Sequence, residues 1–74
     1  MPELPRISGR EAIRAFERLG FSRVRQKGSH VLLRRGSSGC VIPLHESLAA
    51  GTLRSAIRQA GITPDEFVDA VKEK

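Results

Sequence analysis

A short basic stretch in the first half of the chain combines residue types that can hold a phosphate and move a proton. Residues 25–30 read Arg-Gln-Lys-Gly-Ser-His and lead directly into the apolar run 31–33. Lysine and arginine bind phosphate, and histidine as a residue type exchanges protons near neutrality. Glycine tolerates a positive φ, so Lys27-Gly28 predicts a tight turn that sets the cations beside His30 at the start of a strand.

Length and charge indicate one small domain, residues 1–74, with a net charge of +5. Residues 1–37 carry nine Lys/Arg against three Glu, whereas residues 38–74 carry four Lys/Arg against five acidic residues. This asymmetry favours a polyanionic partner for the N-terminal half, most often nucleic acid, but a solvated basic surface gives the same pattern. With no Trp or Tyr and three Phe, base stacking is not expected to be the main binding mode.

The single cysteine, Cys40, excludes an internal disulfide and a cysteine-based zinc site, and it fits a reducing cytosol. Free cysteine is usually a small buried apolar residue, so we expect a structural Cys40 rather than a nucleophile. The N-terminal residues lack the apolar run of a signal peptide, and no stretch approaches the roughly 20 apolar residues of a membrane span. We therefore expect a cytoplasmic protein with no membrane partner.

Turn and capping signals divide the chain into helices and strands. Ser8-Gly9-Arg10-Glu11 matches a capping box, and apolar residues at helical spacing follow it up to Gly20. Three strands are predicted next, joined by short turns, at Phe21–Gln26, Ser29–Arg34 and Cys40–Ile42.

The two ends of the chain complete the pattern. Pro2 and Pro5 favour an extended N-terminal segment. Thr52 is the expected N-cap of a helix that ends at Gly61, and Thr63–Glu66 forms a second capping box with proline at N1. The order α-β-β-β-α plus a short C-terminal helix predicts an α+β fold, with helices packed on one face of a three-stranded antiparallel sheet.

The chemistry of the residues leaves two interpretations of His30. A lone histidine beside an apolar strand is more often structural than catalytic. If Val31 and Leu33 point towards the helices, however, alternation turns His30, with Leu32 and Arg34, to the open side of the sheet. An exposed imidazole beside cations is suited to proton transfer.

Five blocks of sequence carry a resemblance to a known family. They are Leu-Gly-Phe at 19–21, Arg-Gln-Lys-Gly-Ser-His at 25–30, Val-Ile-Pro-Leu-His at 41–45, Gly-Thr-Leu-Arg-Ser at 51–55 and Gln-Ala-Gly-Ile at 59–62. In their order and spacing the chain resembles the HicA family of mRNA-interferase toxins over nearly its whole length. Gly-Ser-His followed by Gly-Thr-Leu-Arg is a fairly specific combination in so short a protein.

The resemblance implies a double-stranded-RNA-binding-domain-like fold and an endoribonuclease that cleaves mRNA without a metal or other cofactor in a bacterial or archaeal cytosol. It also implies a HicB-type antitoxin that binds the toxin and masks its active site. The catalytic histidine of the family stands in the Gly-Ser-His block, which here is His30. A histidine at the position of His45 is also common in the family, but the resemblance does not assign it a catalytic role. Ala49-Ala50 replaces residues that are often basic in the family, which would weaken RNA contact there.

RNA supplies its own nucleophile, the 2′-OH, so cleavage needs a proton acceptor, a proton donor for the leaving 5′-oxygen and positive charge near the phosphate. We expect His30 to be the general acid or base and the product to be a 2′,3′-cyclic phosphate. The residues expected to bind RNA or its phosphates are Arg25, Lys27, Gly28, Ser29 and Arg34.

The remaining alternatives concern secondary contacts and the class of protein. His45 is either a second proton-transfer group or a turn residue held by a backbone hydrogen bond after Pro43, and Arg54 is a candidate secondary RNA contact. No Cys or carboxylate cluster accompanies the two histidines, which argues against zinc. The competing functions are a non-catalytic RNA-binding module and a small protein whose basic face docks an acidic partner. Both RNA functions predict an affinity for RNA that falls with salt, whereas the docking protein predicts little salt-sensitive RNA binding.

Overall fold

The structure, a computed structural model, describes residues 4–73, so the expectation for Pro2 lies outside it. Six elements follow one another along the chain: α1 (Gly9–Arg18), β1 (Ser22–Lys27), β2 (His30–Arg35), β3 (Ser38–Pro43), α2 (Ala50–Ala60) and α3 (Pro64–Lys72). This order confirms the predicted α+β arrangement with its additional C-terminal helix. The first two strands begin and end one residue later than predicted, and β3 is longer at both ends.

The start of α1 is the predicted capping box. The Glu11 amide donates to Ser8 Oγ at 3.1 Å, and the Ser8 amide donates to Glu11 Oε1 at 3.2 Å. Gly20, with φ +96°, turns the chain after the helix. The face of α1 that carries Ile13 and Phe16 is fully buried and packs on the sheet.

The three strands form one antiparallel sheet in the order β1-β2-β3, joined by the two-residue turns Gly28-Ser29 and Gly36-Ser37. The first residue of each turn has a positive φ, +60° and +59°, and no non-glycine residue among those described has one. A positive φ at only the first turn residue is typical of type II′ turns, whose twist matches that of the flanking strands. A β-bulge interrupts β1 at Val24, between Arg23 and Arg25.

The sheet has one buried and one open face. Val31 and Leu33 of β2, with Cys40 and Ile42 of β3, are buried under the helices in the core. The residues that alternate with them, His30, Leu32 and Arg34 of β2 and Gly39 and Val41 of β3, are exposed or partly exposed, and only Pro43 at the end of β3 is buried on this side. The prediction that His30 shares the open face with Leu32 and Arg34 is therefore confirmed.

The predicted N-cap of α2 is wrong, because the helix begins at Ala50 with Ala49 as an N-cap that makes no side-chain hydrogen bond. Leu48 is 1 % exposed and its amide donates to the Ile7 carbonyl at 2.8 Å. This tertiary contact fixes the chain just ahead of the helix. The N-cap is therefore Ala49, three residues earlier in the chain than the predicted N-cap, Thr52. Leu53 and Ile57 then bury the inner face of α2 against β3.

The C-terminal helix packs on α1. Thr63 and Glu66 form the predicted capping box, with bonds of 3.1 and 3.0 Å. The Phe67 and Phe16 rings lie 5.2 Å apart between centroids, and Arg18 Nη1 donates to the Ala70 carbonyl at 2.8 Å. None of the helices within residues 4–73 is long and apolar enough to cross a membrane.

Candidate functional site

The Gly28-Ser29 turn brings the candidate catalytic histidine against a lysine. Lys27, the last residue of β1, is paired with His30, the first residue of β2. Residues directly opposite one another in an antiparallel pair project on the same face with Cβ atoms roughly 5 Å apart. Both side chains are exposed on the open face of the sheet.

A second row of side chains crosses the sheet next to this pair. Leu32 is paired with Arg25 on one side and with Val41 on the other, so the three residues lie in line across the strands. The two rows enclose a shallow depression of about 250 Å³ that is lined by Arg25, Lys27, His30, Leu32 and Val41. Three of the residues predicted from the sequence therefore meet at one place.

The depression is lined by two cationic side chains, Arg25 and Lys27, and by the imidazole of His30. No carboxylate is among its lining residues. The one ion pair within residues 4–73 joins Arg23 Nε to Glu17 Oε2 at 3.7 Å, outside the depression. In the described part of the chain Arg25 and Lys27 therefore keep their charge available for an anion.

Two hydrogen bonds to main-chain carbonyls stabilise the Gly28-Ser29 turn. Gln26 Nε2 donates to the Gly28 carbonyl at 3.0 Å, and the Leu44 amide donates to the Ser29 carbonyl at 2.6 Å. A Cβ atom added to Gly28 would meet nothing within 4 Å, so the turn faces open space. The candidate RNA contacts Gly28 and Ser29 are both exposed at the edge of the site.

Arg34 lies on the same face but does not line the depression. It stands opposite Ser22 on β1 and Gly39 on β3. Its Cγ and Nε lie 4.0 Å from the position that a Cβ atom of Gly39 would occupy, so the side chain lies over the glycine. Arg34 therefore lies beyond the Arg25–Leu32–Val41 row and outside the depression.

The structure separates the two secondary candidates from His30. His45 lines a different depression, of about 330 Å³, together with Ser8, Arg10, Leu44 and Glu46. Its main-chain carbonyl accepts a hydrogen bond of 2.8 Å from the Gly9 amide, which ties the segment after β3 to the start of α1. Arg54 lies on α2 in a third groove, beside Arg58.

Cys40 has the structural environment expected of it. Its side chain is 2 % exposed, and burial, which disfavours the thiolate, raises the pKa of the thiol from 9.0 to about 11. Within residues 4–73 no group of three or more His, Cys, Asp or Glu side chains is arranged to hold a metal ion.

Two lining residues, Leu32 and Val41, were not among the predicted site residues. Val41 stands between Cys40 and Ile42, which are both buried, so the alternation of side chains along β3 is the signal that could have placed it on the outward face. Its place beside Leu32 and Arg25 depends on the strand register, which the sequence does not state.

Comparison with known proteins adds one finding. A family model described as the HicA toxin of bacterial toxin–antitoxin systems matches residues 9–62. The matched range includes α1, the whole sheet, α2 and all five residues that line the depression. No curated protein matches the chain.

Proposed function

The chain belongs to the HicA family of toxins of bacterial toxin–antitoxin systems, and from this premise we propose that it is a metal-independent endoribonuclease that cleaves mRNA. The observation that carries the proposal is the depression that gathers Arg25, Lys27 and His30 on the open face of the sheet. Membership of the family gives the protein an antitoxin partner; that this partner is of the HicB type and covers the open face is part of the proposal.

In the proposed reaction, the 2′-oxygen of one nucleotide attacks the adjacent phosphorus. The new O2′–P bond forms as the P–O5′ bond breaks, so the products are a 2′,3′-cyclic phosphate and a 5′-hydroxyl. His30 either accepts the proton of the 2′-OH or donates a proton to the leaving 5′-oxygen. The depression is open, so water can exchange the second proton.

The cations complete the chemistry. Negative charge accumulates on the phosphoryl oxygens as the fifth bond to phosphorus forms, and fixed positive groups stabilise it. Lys27 is the immediate neighbour of His30 in the ladder, so a phosphate within reach of the imidazole is also within reach of the ammonium group. Arg25 approaches the same phosphate from the next row.

The residues around the depression are assigned binding roles. Gly28 lets the RNA backbone approach the turn, and the Ser29 hydroxyl donates to a phosphate oxygen. Arg34 binds a phosphate farther along the strand. His45 and Arg54, which lie in other depressions, would contact only flanking RNA.

The test compares purified wild-type protein with His30→Ala on end-labelled mRNA in the presence of EDTA. His45→Ala serves as the matched control, because it removes the other imidazole from a separate depression. We expect wild type and His45→Ala to release fragments ending in a 2′,3′-cyclic phosphate, and His30→Ala to be slower by about 10²- to 10⁴-fold. Equal rates for His30→Ala and wild type would reject the catalytic role, and a need for added metal would reject the metal-free mechanism.

Expression in a bacterial host separates the nuclease from a non-catalytic RNA-binding module. The nuclease arrests growth, and His30→Ala relieves the arrest while the purified variant still binds RNA. RNA binding that weakens with salt, without cleavage by any variant, would instead identify a binding module of the same fold.

A further inference from the structure

The floor of the depression differs in chemistry from its charged rim. Leu32 is partly buried and Val41 is 42 % exposed, and the two lie side by side across β2 and β3 with Arg25 at one end of the row. We propose that this floor receives an unpaired nucleobase next to the phosphate held by Lys27 and His30, which makes single-stranded RNA the substrate. The proposal rests on the proposed function and adds to it the strandedness of the substrate and a base-binding site.

The spacing of the two rows suits one nucleotide. Lys27 and His30 stand two residues along their strands from Arg25 and Leu32, which corresponds to roughly 7 Å. A nucleobase projects from its sugar away from the phosphate. A phosphate on the first row therefore directs the attached base over the second row, where the floor is apolar.

The side chains of the second row suit the face of a base. Leu32 and Val41 offer apolar contact, and a guanidinium group such as that of Arg25 can stack on a base through its planar face. The three phenylalanines, Phe16, Phe21 and Phe67, are no more than 3 % exposed and belong to the core. The base is therefore held by aliphatic and guanidinium contacts rather than by an aromatic platform.

The charge of the rim and the shape of double-stranded RNA select this occupant. Three of the five lining side chains are basic residues or histidine and none is acidic, which complements a polyanion. In an A-form duplex each base is stacked on its neighbours, and the accessible groove displays base edges and 2′-hydroxyls rather than base faces. Only an unpaired base can lay its face on the Leu32–Val41 floor.

The test uses oligonucleotides that cannot be cleaved. A 2′-fluoro strand lacks the 2′-OH nucleophile, so its affinity for the wild-type protein is measured without chemistry. We expect the single strand to bind more tightly than the same strand annealed to its complement. Replacing its central nucleotides with abasic ones should weaken binding by about fivefold, because the apolar contact between the base face and the Leu32–Val41 floor is then lost.

Variants of the floor locate the base. Val41→Ser should lower affinity for the intact strand by about fivefold and lose the distinction between intact and abasic strands, because it removes apolar surface from the floor, whereas Val41→Ile should keep both. Val24→Ser is the matched control, because Val24 is 54 % exposed but does not line the depression. Equal binding of intact and abasic strands, a preference for the duplex, or an unchanged Val41→Ser would overturn the proposal.

The outcomes for the two proposals are independent. Base-dependent binding of the 2′-fluoro strand, together with no cleavage of natural RNA, would reject the nuclease and leave the base site in place. Cleavage of natural RNA that depends on His30, together with equal binding of intact and abasic strands, would reject the base site alone.

Discussion

Lys27 and His30 stand directly opposite each other in the β1–β2 ladder, separated along the chain only by Gly28 and Ser29. The conformation of one two-residue turn therefore sets the relative position of the proposed general acid or base and of the lysine that is paired with it. A second turn, Gly36-Ser37, has nearly the same φ at its glycine and joins β2 to β3 at the far end of the same strand. Because only the Gly28-Ser29 turn carries the proposed site, comparing the two turns separates the effect of turn conformation on stability from its effect on activity.

We predict that Gly28→Ala and Gly36→Ala destabilise the protein equally but affect cleavage differently. Both glycines have φ near +60°, and neither added Cβ would meet an atom within 4 Å, so strain in the backbone is the main cost, about 1–2 kcal/mol. Only Gly28→Ala moves Lys27 relative to His30. Urea unfolding should give matching losses, and cleavage at a temperature where both variants are folded should fall only for Gly28→Ala. A comparable loss of cleavage in Gly36→Ala would contradict the assignment.

We predict that Arg25 and Arg35 act on different properties. Arg35 Nη1 donates to the Leu19 carbonyl at 2.7 Å, and its guanidinium carbon lies 4.8 Å from the centre of the Phe21 ring. Arg35→Ala should therefore lower the free energy of unfolding by about 1–2 kcal/mol. Arg25→Ala should leave stability within about 0.5 kcal/mol, because Arg25 makes no such contact in the described residues.

RNA titrations at several salt concentrations measure the second property, the contribution of each arginine to RNA binding. A lost phosphate contact reduces the slope of log affinity against log salt by about 0.7 for a single strand. We expect this reduction for Arg25→Ala and a smaller one for Arg35→Ala. If Arg35→Ala shows the larger change in slope, the basic surface that binds RNA lies elsewhere.

We predict that Gly9→Ala is among the most destabilising single-methyl additions in the protein. A Cβ atom at Gly9 would fall on the carbonyl oxygen of Pro43 and 3.0 Å from Leu44 Cα, and both are main-chain atoms that cannot move separately. The expected loss is about 3 kcal/mol in urea unfolding. Gly51→Ala is the control, since its added Cβ meets nothing within 4 Å and alanine favours the helix by up to about 1 kcal/mol. Similar stability of the two variants would refute the close approach of α1 to β3.

We predict that stability declines between pH 9 and pH 11 in part because of Cys40. The unfolded chain ionises this thiol near its ordinary value of 9.0, whereas burial in the folded protein raises its pKa to about 11. The stabilisation is therefore complete below pH 9 and is lost as the pH rises through 11. Urea unfolding of wild type and Cys40→Ala across this range should show a shallower decline in the variant. Parallel curves would show that the thiol does not contribute.

The local patterns of the chain predicted its elements and one face of its sheet. Both capping boxes, at Ser8 and Thr63, need only residues three apart, so they are readable without tertiary information. Alternation along β2 placed His30 on the face of the sheet away from Val31 and Leu33, which are buried. The five blocks that carry the family resemblance lie within the range that the family model matches. These signals depend on chain geometry over a few residues, which tertiary packing did not override.

The start of α2 and the use of the arginines required the folded chain. Thr52 is a good N-cap by residue type. The hydrogen bond from the Leu48 amide to the Ile7 carbonyl, however, fixes the chain just ahead of Ala50, and the helix starts there. Arg18 and Arg35 reach carbonyls of Ala70 and Leu19 that are distant in sequence. No local sequence pattern indicates which arginine side chains bond to distant carbonyls. The sequence therefore could not distinguish Arg18 and Arg35, which do, from Arg25, which makes no such bond within residues 4–73.

The composition, the two-residue turn and the alternation of β2 are enough to indicate a basic, open sheet face that carries His30 beside Lys27, because each depends on neighbours along the chain. Three features follow from the fold: the joining of Arg25 and Val41 on either side of Leu32, the separation of His45 into another depression, and the closure of α1 on the end of β3. Strand register and packing between elements set these distances, and both arise from contacts among residues that are far apart in the sequence.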